Sequence, residues 1–299
     1  MKTVRSLIYR NSKLFFKDKG LFFTSLITPL ILLLLYITFL GNVYRDTFTS
    51  NLNLGLDLDK IIDGCVGGQL LSSLLAVSCV TVSFCSNMLM VQDKVNGAAY
   101  DISVTPVKSW QVALGYYIAT FITSFAINLI AMGACFIYLA NAGWYLSSAD
   151  VMMIVLDIFI LVMFGTALSS IINFFLSSQG QISAVGTIVS SCYGFICGAY
   201  MPISQFSEGL QKALSLLPGT YGTSLMRRHS MRGALSALED EGVPTEVIEE
   251  FKDVLDCNIY FFDEKVEEPI MFAIVIGTVA ALITAYIVLN AVKGGKAKK

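Results

Sequence analysis

Five stretches of the sequence contain no Asp, Glu, Lys or Arg, and together they cover more than half of the 299 residues. An α-helix needs about 20 apolar residues to cross a membrane, because the hydrocarbon core is about 30 Å thick and the helix rises about 1.5 Å per residue. All five stretches exceed that length. The sequence therefore predicts a polytopic helical membrane protein, and it excludes a soluble enzyme, a nucleic-acid-binding protein and an outer-membrane barrel. The stretches are 20–44, 64–92, 109–149, 158–207 and 269–292.

The two longest stretches each contain a turn signal. The stretch 109–149 ends in a turn-like sequence at 140–144, and the stretch 158–207 is interrupted by a polar run at 177–181. With those interruptions, the predicted fold class is an all-α polytopic membrane protein with six transmembrane helices. We place these helices at 21–41, 64–90, 112–139, 151–175, 182–201 and 269–291.

The distribution of charge predicts the orientation. The first 19 residues carry six Lys and Arg against one Asp, and the last seven residues carry four Lys and no acid. Lys and Arg near the ends of spans favour the cytoplasmic side, so both termini are expected in the cytoplasm. An even number of spans follows. Segment 42–63 and the segment 202–268, which has 13 acidic and six basic residues, are then expected outside.

Four regions follow from this topology. Residues 1–20 have apolar side chains at helical spacing, with most of the basic side chains off that stripe, which is typical of an interfacial amphipathic helix. Residues 21–201 hold spans one to five, and 269–299 hold span six and the basic tail. Residues 202–268 are expected to form short outer helices and a small acidic extracellular cap, in which Thr245 would cap a helix with one apolar face.

The loop 91–110 is the only sizeable cytoplasmic loop predicted between spans. We expect Asp93 to open a short helix there, and Pro106 to end it because the residue before proline avoids the α region. This loop resembles the one that follows the second span in the permeases of type-2 ATP-binding-cassette (ABC) exporters. Those permeases have an acidic-basic pair, a Gly three residues later and a Thr-Pro or Ser-Pro nine residues beyond the Gly. The residues that carry the resemblance are Asp93, Lys94, Gly97, Thr105 and Pro106.

The resemblance covers nearly the whole chain. It departs from the usual pattern at Val95 and Tyr100, where the family often has an acid. Thr28-Pro29 resembles the family's first span, and the region between spans five and six resembles the segment that folds back into the outer membrane face. The matching residues of that outer region are Pro202, Pro218, Tyr221, Arg227 and Arg228.

The resemblance implies a permease driven by a separate ATPase. The chain has no G-x-x-x-x-G-K-S/T phosphate loop. It is therefore expected not to be an enzyme and to bind no cofactor or metal itself. ATP and Mg²⁺ would be bound by two ABC ATPase subunits. A second permease chain, identical or homologous, would complete the translocation path. The resemblance implies that spans one, two and five line this path. The residues expected in the ATPase-coupling loop are Asp93, Lys94, Gly97, Ala98, Tyr100, Asp101, Thr105 and Pro106.

Several residues are candidates for a gate or a translocation path. The fifth predicted span has a small residue at every fourth position, which lets helices approach closely, either within one subunit or at a dimer seam. An acidic side chain, Asp157, lies inside the fourth predicted span and is expected to face protein or a water-filled cavity. Its role is open between a structural pair, a substrate or gate contact and proton coupling. The candidates are Thr28, Pro29, Asp157, Gly186, Ser190, Gly194 and Gly198.

Two further interpretations concern the outer side. His229, the only histidine, lies beside three arginines and is expected in a surface basic cluster near lipid headgroups. Cys65 and Cys257 are both predicted near the outer side, where a disulfide is one outcome and two free thiols the other.

The function most consistent with these features is export of an amphipathic cargo such as a drug, an antimicrobial peptide or a lipid. Three alternatives stay open: a subunit exporting a lipid-linked glycan, an ion-coupled secondary transporter using Asp157, and a sensor or immunity complex that releases bound peptide. The expected partners are the ATPase subunits, a second permease chain and the bilayer, with an outer-surface protein as a further candidate and no nucleic acid.

Overall fold

A computed structural model describes residues 2–51, 58–262 and 264–296, so part of the predicted outer segment 42–63 lies outside the described residues. The chain folds into long helices with one short antiparallel hairpin. The helices are α1 (Lys2–Lys17), α2 (Lys19–Leu35), a π-helical segment (Tyr36–Leu40), α3 (Gly41–Asn51), α4 (Asp59–Val95), α5 (Ala98–Ser103), α6 (Ser109–Ala142), α7 (Ser148–Phe175), α8 (Gln179–Ile196), a 3₁₀ turn (Ile203–Gln205), α9 (Glu208–Leu214), α10 (Pro218–Asp240), α11 (Thr245–Val254) and α12 (Glu268–Lys296); the hairpin strands are β1 (Tyr260–Phe261) and β2 (Glu264–Lys265).

Five of the described helices are long and apolar enough to cross a membrane. They begin at α2, α4, α6, α7 and α12, and the first continues through the π-helical segment into α3 as far as Asp46. The fifth predicted span falls on α8, which has 18 residues and opens with the polar sequence Gln179-Gly180-Gln181. The all-α polytopic fold class is therefore confirmed, while the count of six spans stays a prediction.

The second span, α4, is the centre of the bundle. Along its most apolar window 89% of the residues are buried, against 28% for the first span and 17% for α12. Helices α2, α6, α7, α8 and α10 all pack against α4. Because a helix satisfies its own backbone hydrogen bonds, it can cross lipid with or without such neighbours. The peripheral spans therefore leave apolar faces for lipid or for another chain.

Local sequence signals fix the starts of α7 and α8. The Ser147 side chain accepts a hydrogen bond from the Asp150 amide, and the Asp150 carboxylate in turn accepts one from the Ser147 amide. Ser178 and Gln181 form the same reciprocal capping box at α8. The polar run at 177–181 is thus a tight connection between α7 and α8, where the sequence predicts a break.

Different elements lie at the two ends of the bundle. Arg10 of α1 pairs with Asp93 near the end of α4, and Tyr286 in the second half of α12 contacts Met90. We call this end, which also carries the loop with α5, the α5 end. The opposite end carries α9, α11 and the hairpin, and we call it the α11 end. Helices α1 and α12 therefore begin and finish the described chain at the same end.

The helices of the segment 202–268 differ from their prediction. Its longest helix, α10, has 23 residues instead of a short re-entrant turn, and most of its residues from Gly219 to Met231 are buried. It packs against α4, α7 and α12. Close packing depends on small residues here, because a methyl group on Gly68 of α4 would lie 2.6 Å from the Ser230 carbonyl oxygen. Helix α10 is thus part of the core of the α11 end.

Candidate coupling and translocation sites

Asp93 joins three helices at the α5 end. Its carboxylate accepts two hydrogen bonds from the guanidinium of Arg10, at 2.6 and 3.0 Å, and one from the Tyr116 hydroxyl of α6 at 2.5 Å. The Asp93 side chain is 7% exposed and that of Arg10 is 33% exposed. The bidentate pair fixes the direction of both groups. Asp93 therefore attaches α1 to the bundle through Arg10, a partner that was not predicted.

Lys94 contacts the other side of the same region. Its ammonium group donates to the backbone carbonyls of Asn173, Phe174 and Leu176, at 2.7 to 2.9 Å. These carbonyls belong to the end of α7, where four backbone acceptors lack helical partners and where a positive charge is favoured by the helix dipole. The acidic-basic pair of the loop is thus used inside the chain, with Asp93 directed to α1 and α6 and Lys94 to α7.

The exposed part of the loop begins at Gly97. Asp93 does not open the short helix as expected, because it lies in the last turn of α4, and the short helix α5 starts five residues later. Gly97 has φ +81°, a left-handed conformation that ends α4 with little cost only for glycine. Beyond it, Tyr100 and Val104 are 71% and 68% exposed. The remaining predicted coupling residues lie on the same short segment, and Asp101, Thr105 and Pro106 are exposed while Ala98 is half-buried.

A cavity of about 700 Å³ opens between the first span and α8. Most of its lining is aliphatic or aromatic, and Thr28 and Ser190 contribute polar atoms. The π-helical segment Tyr36–Leu40 lies along the same wall, and such segments interrupt the regular helix frequently at functional sites. Pro29 is buried on another face of the first span and does not line the cavity. The structure therefore brings Thr28 and Ser190 together, two of the seven residues predicted for a gate or path.

The small residues of α8 do not share one partner. A methyl group on Gly186 would lie 2.5 Å from the terminal carbon of Met88 in α4, whereas one on Gly194 would overlap the ring of Tyr200. Gly198 lies beyond the helix, with φ +74°. The regular spacing thus reflects two separate packing contacts and one backbone turn within this chain.

Arg227 is the centre of the outer region. It is 0% exposed, and its guanidinium donates to the carbonyls of Leu255 and Gly198, at 2.7 and 2.8 Å. It also lies 3.4 Å from the carboxylate of Asp256, which itself accepts hydrogen bonds from the amides of Ile203 and Ser204. Asp256 adopts φ +54°, which is uncommon for a residue with a side chain. The expectation of a surface basic cluster is therefore wrong for Arg227.

The other matched outer residues have local roles. Pro202 precedes the 3₁₀ turn, and Pro218 is the first residue of α10, where its missing amide is not needed. The Tyr221 hydroxyl donates to the Ser215 carbonyl at 2.6 Å. Arg228 donates to the Cys257 carbonyl at 2.6 Å, which ties α10 to the chain after α11.

His229 and Asp157 form a buried pair, so the expected surface position of His229 is also wrong. The side chains are 0% and 1% exposed, and the imidazole Nδ1 lies 2.6 Å from a carboxylate oxygen of Asp157. The imidazole Nε2 lies 3.3 Å from a carboxylate oxygen of Glu268, at the start of α12. Asp157 lines neither the cavity between the first span and α8 nor the polar cavity between α10 and the cap around α11.

The cap around α11 is held by hydrogen bonds and ion pairs. Thr245 does not cap α11, because it is the first helical residue and Pro244 occupies the cap position. Glu249 accepts hydrogen bonds from Lys252 at 2.7 Å and Lys265 at 3.2 Å, and the Lys252 contact is the main reason that its pKa is lowered to about 2. A polar cavity of about 320 Å³ lies between this cap and α10.

The cysteines of the chain are free thiols. Cys65 and Cys257 are both buried and are not joined by a disulfide. Among the described residues, no group of three or more His, Cys, Asp or Glu side chains could hold a metal ion.

The sequence did not identify several residues of these sites. Arg10 and Tyr116 contact Asp93 from 83 and 23 positions away, and Asp256 contacts Arg227 from 29 positions away. A basic residue on the buried side of α1 and a tyrosine near the start of α6 are the only signals that could have indicated the first site. Side-chain pairs between separate helices leave no periodic pattern in a single sequence.

Comparison with known protein families agrees with this architecture. The family described as ABC-2 type transporter matches residues 2–229, about three quarters of the chain. Comparisons with curated proteins and with solved structures gave no match. The match includes all the helices from α1 to α9, the loop with α5 among them, and about half of α10, up to His229. The chain therefore belongs to the ABC-2 type transporter family, as a transmembrane permease component.

Proposed function

We propose that this chain is the permease subunit of an ABC exporter in a bacterial plasma membrane, and that it moves an amphipathic cargo outward. The single observation that carries the proposal is the loop after α4, which is anchored inside the bundle by Asp93 and Lys94 and presents Tyr100 and Val104 to the exterior. Large apolar side chains exposed on an anchored loop are typical of a contact surface. An ATPase subunit is the partner that the family implies.

The anchoring explains how a force on the loop would reach the spans. A push on α5 acts on the end of α4, and α4 packs against five other helices. Asp93 would pass the same displacement to α1 and α6, and Lys94 would pass it to α7. The coupling loop thus acts on four helices at once, which suits a permease whose two halves move as bodies.

The cavity between the first span and α8 supports an amphipathic cargo. It is mostly apolar, with hydroxyl groups of Thr28 and Ser190 at separate points, and binding sites for small molecules commonly combine an apolar wall with a few polar groups. Two copies of the permease facing one another would enclose this surface, and two ATPase subunits would bind ATP and Mg²⁺. A drug, an antimicrobial peptide and a lipid all fit this chemistry.

The alternative of an ion-coupled secondary transporter depends on Asp157. Its carboxylate is paired with His229 and does not line the cavity between the first span and α8, so the geometry favours a role within the protein. Proteoliposomes that contain the chain and its ATPase distinguish the two mechanisms. With a fluorescent amphipathic peptide as probe, we expect transport that requires ATP and continues when ionophores remove ion gradients. Transport driven by an ion gradient without ATP would overturn the proposal.

Photo-crosslinking tests the contact with the ATPase directly. A photoreactive amino acid replaces Tyr100 in one variant and Tyr260 of the hairpin in a matched control, since both tyrosines are exposed but lie at opposite ends of the bundle. In membranes of the native host we expect an ABC ATPase crosslinked to position 100 and none at position 260. An ATPase crosslinked at neither position, or only at position 260, would contradict the proposal.

Cysteine labelling tests the orientation. Asn96→Cys lies in the exposed loop at the α5 end, and Glu250→Cys lies on the exposed face of α11. A membrane-impermeant maleimide added to intact cells should label position 250, while position 96 should react only after the membrane is opened. The unmodified chain measures the background from native cysteines. The reverse pattern would overturn the orientation with both termini in the cytoplasm.

A further inference from the structure

His229 lies between two carboxylates that come from two different helices. Nδ1 is 2.6 Å from Asp157 of α7, and Nε2 is 3.3 Å from Glu268 of α12. A neutral imidazole has one donor nitrogen and one acceptor nitrogen, whereas an ionised carboxylate only accepts hydrogen bonds. Both contacts can be hydrogen bonds only when this trio holds one extra proton, either on the ring or on a carboxyl group.

The surrounding charges favour that proton. Helix α10 contributes Arg232, which lies 3.5 Å from Asp150 of α7 and 3.6 Å from Glu268. It also contributes Arg228, at 3.9 Å from Glu268. With the histidine protonated, three carboxylates face three cations and the cluster is neutral. Without the proton the cluster carries one net negative charge, and the Asp157 carboxylate, which is 1% exposed, loses its charged partner, which is unfavourable.

The other charged side chains of the cavity that Arg228, Arg232 and Glu268 line are two acids and two bases, so they leave the balance unchanged; they are Glu239, Glu249, Lys252 and Lys265. From α4, among the described residues, the titratable group near Asp157 is the thiol of Cys79, which faces the Ile158 carbonyl. From α12, the ring of Phe272 stacks on the imidazole with 6.1 Å between the ring centres, and an aromatic face attracts a cation. Burial lowers the pKa of His229, but the hydrogen bonds and charges of Asp157 and Glu268 outweigh it, and the pKa lies above its ordinary value.

We propose that protonated His229 is a positioning residue that holds α10 between α7 and α12, and that this clasp opens when the pH on the outer side rises. Because the folded-state pKa is raised, the contact is complete below the ordinary histidine pKa and is lost as the pH rises through the folded-state value. Glu268 is the contact that opens, since its side chain is 32% exposed and can turn to solvent, whereas Asp157 is enclosed.

The clasp goes beyond the transport function, because every contact lies within one chain, and only the identity of the medium that it meets rests on the proposed orientation. Its consequence is local. The first turn of α12 would separate from α10 at high pH while Asp157 keeps the imidazole in place. The α11 end of the protein would then respond to the outer medium without any change at the α5 end.

Nitrogen-15 NMR of the full chain in nanodiscs tests the proton directly, because His229 is the only histidine and a tag without histidine leaves one pair of ring signals. Below the ordinary histidine pKa, at about pH 5.5, we expect both ring nitrogens to be protonated, and the titration midpoint should lie above that ordinary value. Asp157→Asn should lower the measured pKa by one unit or more, a tenfold change in the acid constant, and Glu268→Gln should lower it less. Glu267→Gln, a change at the neighbouring exposed residue, should leave it unchanged. A midpoint at or below the ordinary histidine pKa, or a pKa that Asp157→Asn leaves in place, would overturn the proposal.

Hydrogen exchange provides a second measurement on the unmodified chain, which does not require a variant that folds poorly. After correction for the intrinsic effect of pH, exchange of the amides in 268–272 should increase above the pKa of His229. The same amides in His229→Gln should exchange with no such step, and the amides of α5 should show none in either protein. Exchange at 268–272 that is independent of pH in the unmodified chain would refute the opening of the clasp.

Discussion

Replacement of Arg227 by Met is the sharpest test of the outer region. The change removes a buried cation and leaves the carboxylate of Asp256, 5% exposed, without its charged partner. Removal of one member of a buried ion pair costs about 3–5 kcal/mol. The Leu255 and Gly198 carbonyls also lose a charged donor. Asp256 keeps two backbone amides as donors, so we expect a loss near the lower end, about 3 kcal/mol of unfolding free energy.

The same substitution should make stability depend on pH. Burial already raises the pKa of Asp256 while Arg227 opposes the shift, so the pKa in Arg227→Met should rise further. A carboxyl group with a raised folded-state pKa binds its proton in the folded state, and its stabilising contribution is lost as the pH rises. The variant should therefore lose up to about 1.4 kcal/mol per pH unit between the unfolded and folded pKa values, and its deficit should be larger at pH 8 than at pH 5.

Denaturant unfolding of the full chain in mixed micelles, followed by tryptophan fluorescence, measures both effects. Arg5→Met is the matched control, because Arg5 is exposed on α1 and a surface change should alter stability by less than about 0.5 kcal/mol. Adding Asp256→Asn to Arg227→Met should recover part of the loss at pH 8, since the buried charge is then removed. A deficit under about 1 kcal/mol, or one that does not grow with pH, would refute the reasoning about Arg227.

Three further predictions concern other parts of the chain. Arg10→Gln should cost about 1–3 kcal/mol of unfolding free energy, because Asp93 loses two charged hydrogen bonds. Faster hydrogen exchange confined to α1 would reveal the loss, and unchanged exchange in α1 would contradict this role of Arg10. Gly194→Ala should destabilise the protein by about 1–3 kcal/mol, because the new methyl group would overlap the ring of Tyr200. The same change at Gly180, which faces open space in the same helix, should be close to neutral. Equal effects of the two changes would argue against the contact with Tyr200. The cap ion pairs of Glu249 contribute stability that is present above its ordinary pKa and is lost as the pH falls through about 2. Glu249→Gln should therefore weaken the dependence of stability on pH between about pH 4 and 2, and it should cost less than about 1 kcal/mol at pH 7. An acid-unfolding curve identical to that of the unmodified chain would rule this out.

The spans could be predicted from the sequence because the signal for them is local. A run without charge longer than about 20 residues has few alternatives to a membrane helix, and the polar run at 177–181 ends one helix and caps the next. The weak case is α8, in which polar residues open an 18-residue helix. Its prediction as a span came from the length of the charge-free stretch, and neither its length nor its composition is decisive.

The loop between α4 and α6 was predicted in position, but its contacts were not. Its spacing indicated where a partner would bind, yet the sequence could not show that Asp93 and Lys94 face the bundle, since both partners lie on other helices. The same limit explains why the burial of His229 was not predicted. Three neighbouring arginines suggested a solvated surface, but α10 buries residues on most of its circumference, so that charge in this helix is paired inside the protein.

Polar contacts inside the bundle are arranged in layers with different chemistry. In the last third of α4, the Asn87 amide donates to the hydroxyls of Ser169 and Ser170, and Ser86 bonds to Thr123. None of these groups changes charge near neutral pH, so the packing of α4 against α6 and α7 is independent of pH. The His229 contacts lie instead at the α11 end, where Met271 and Val275 of α12 are buried against α7 and α10. With the clasp proposed above, a change of pH at that end would act on the contact between α10 and α12, while the uncharged contacts of α4 keep its connection to the loop with α5.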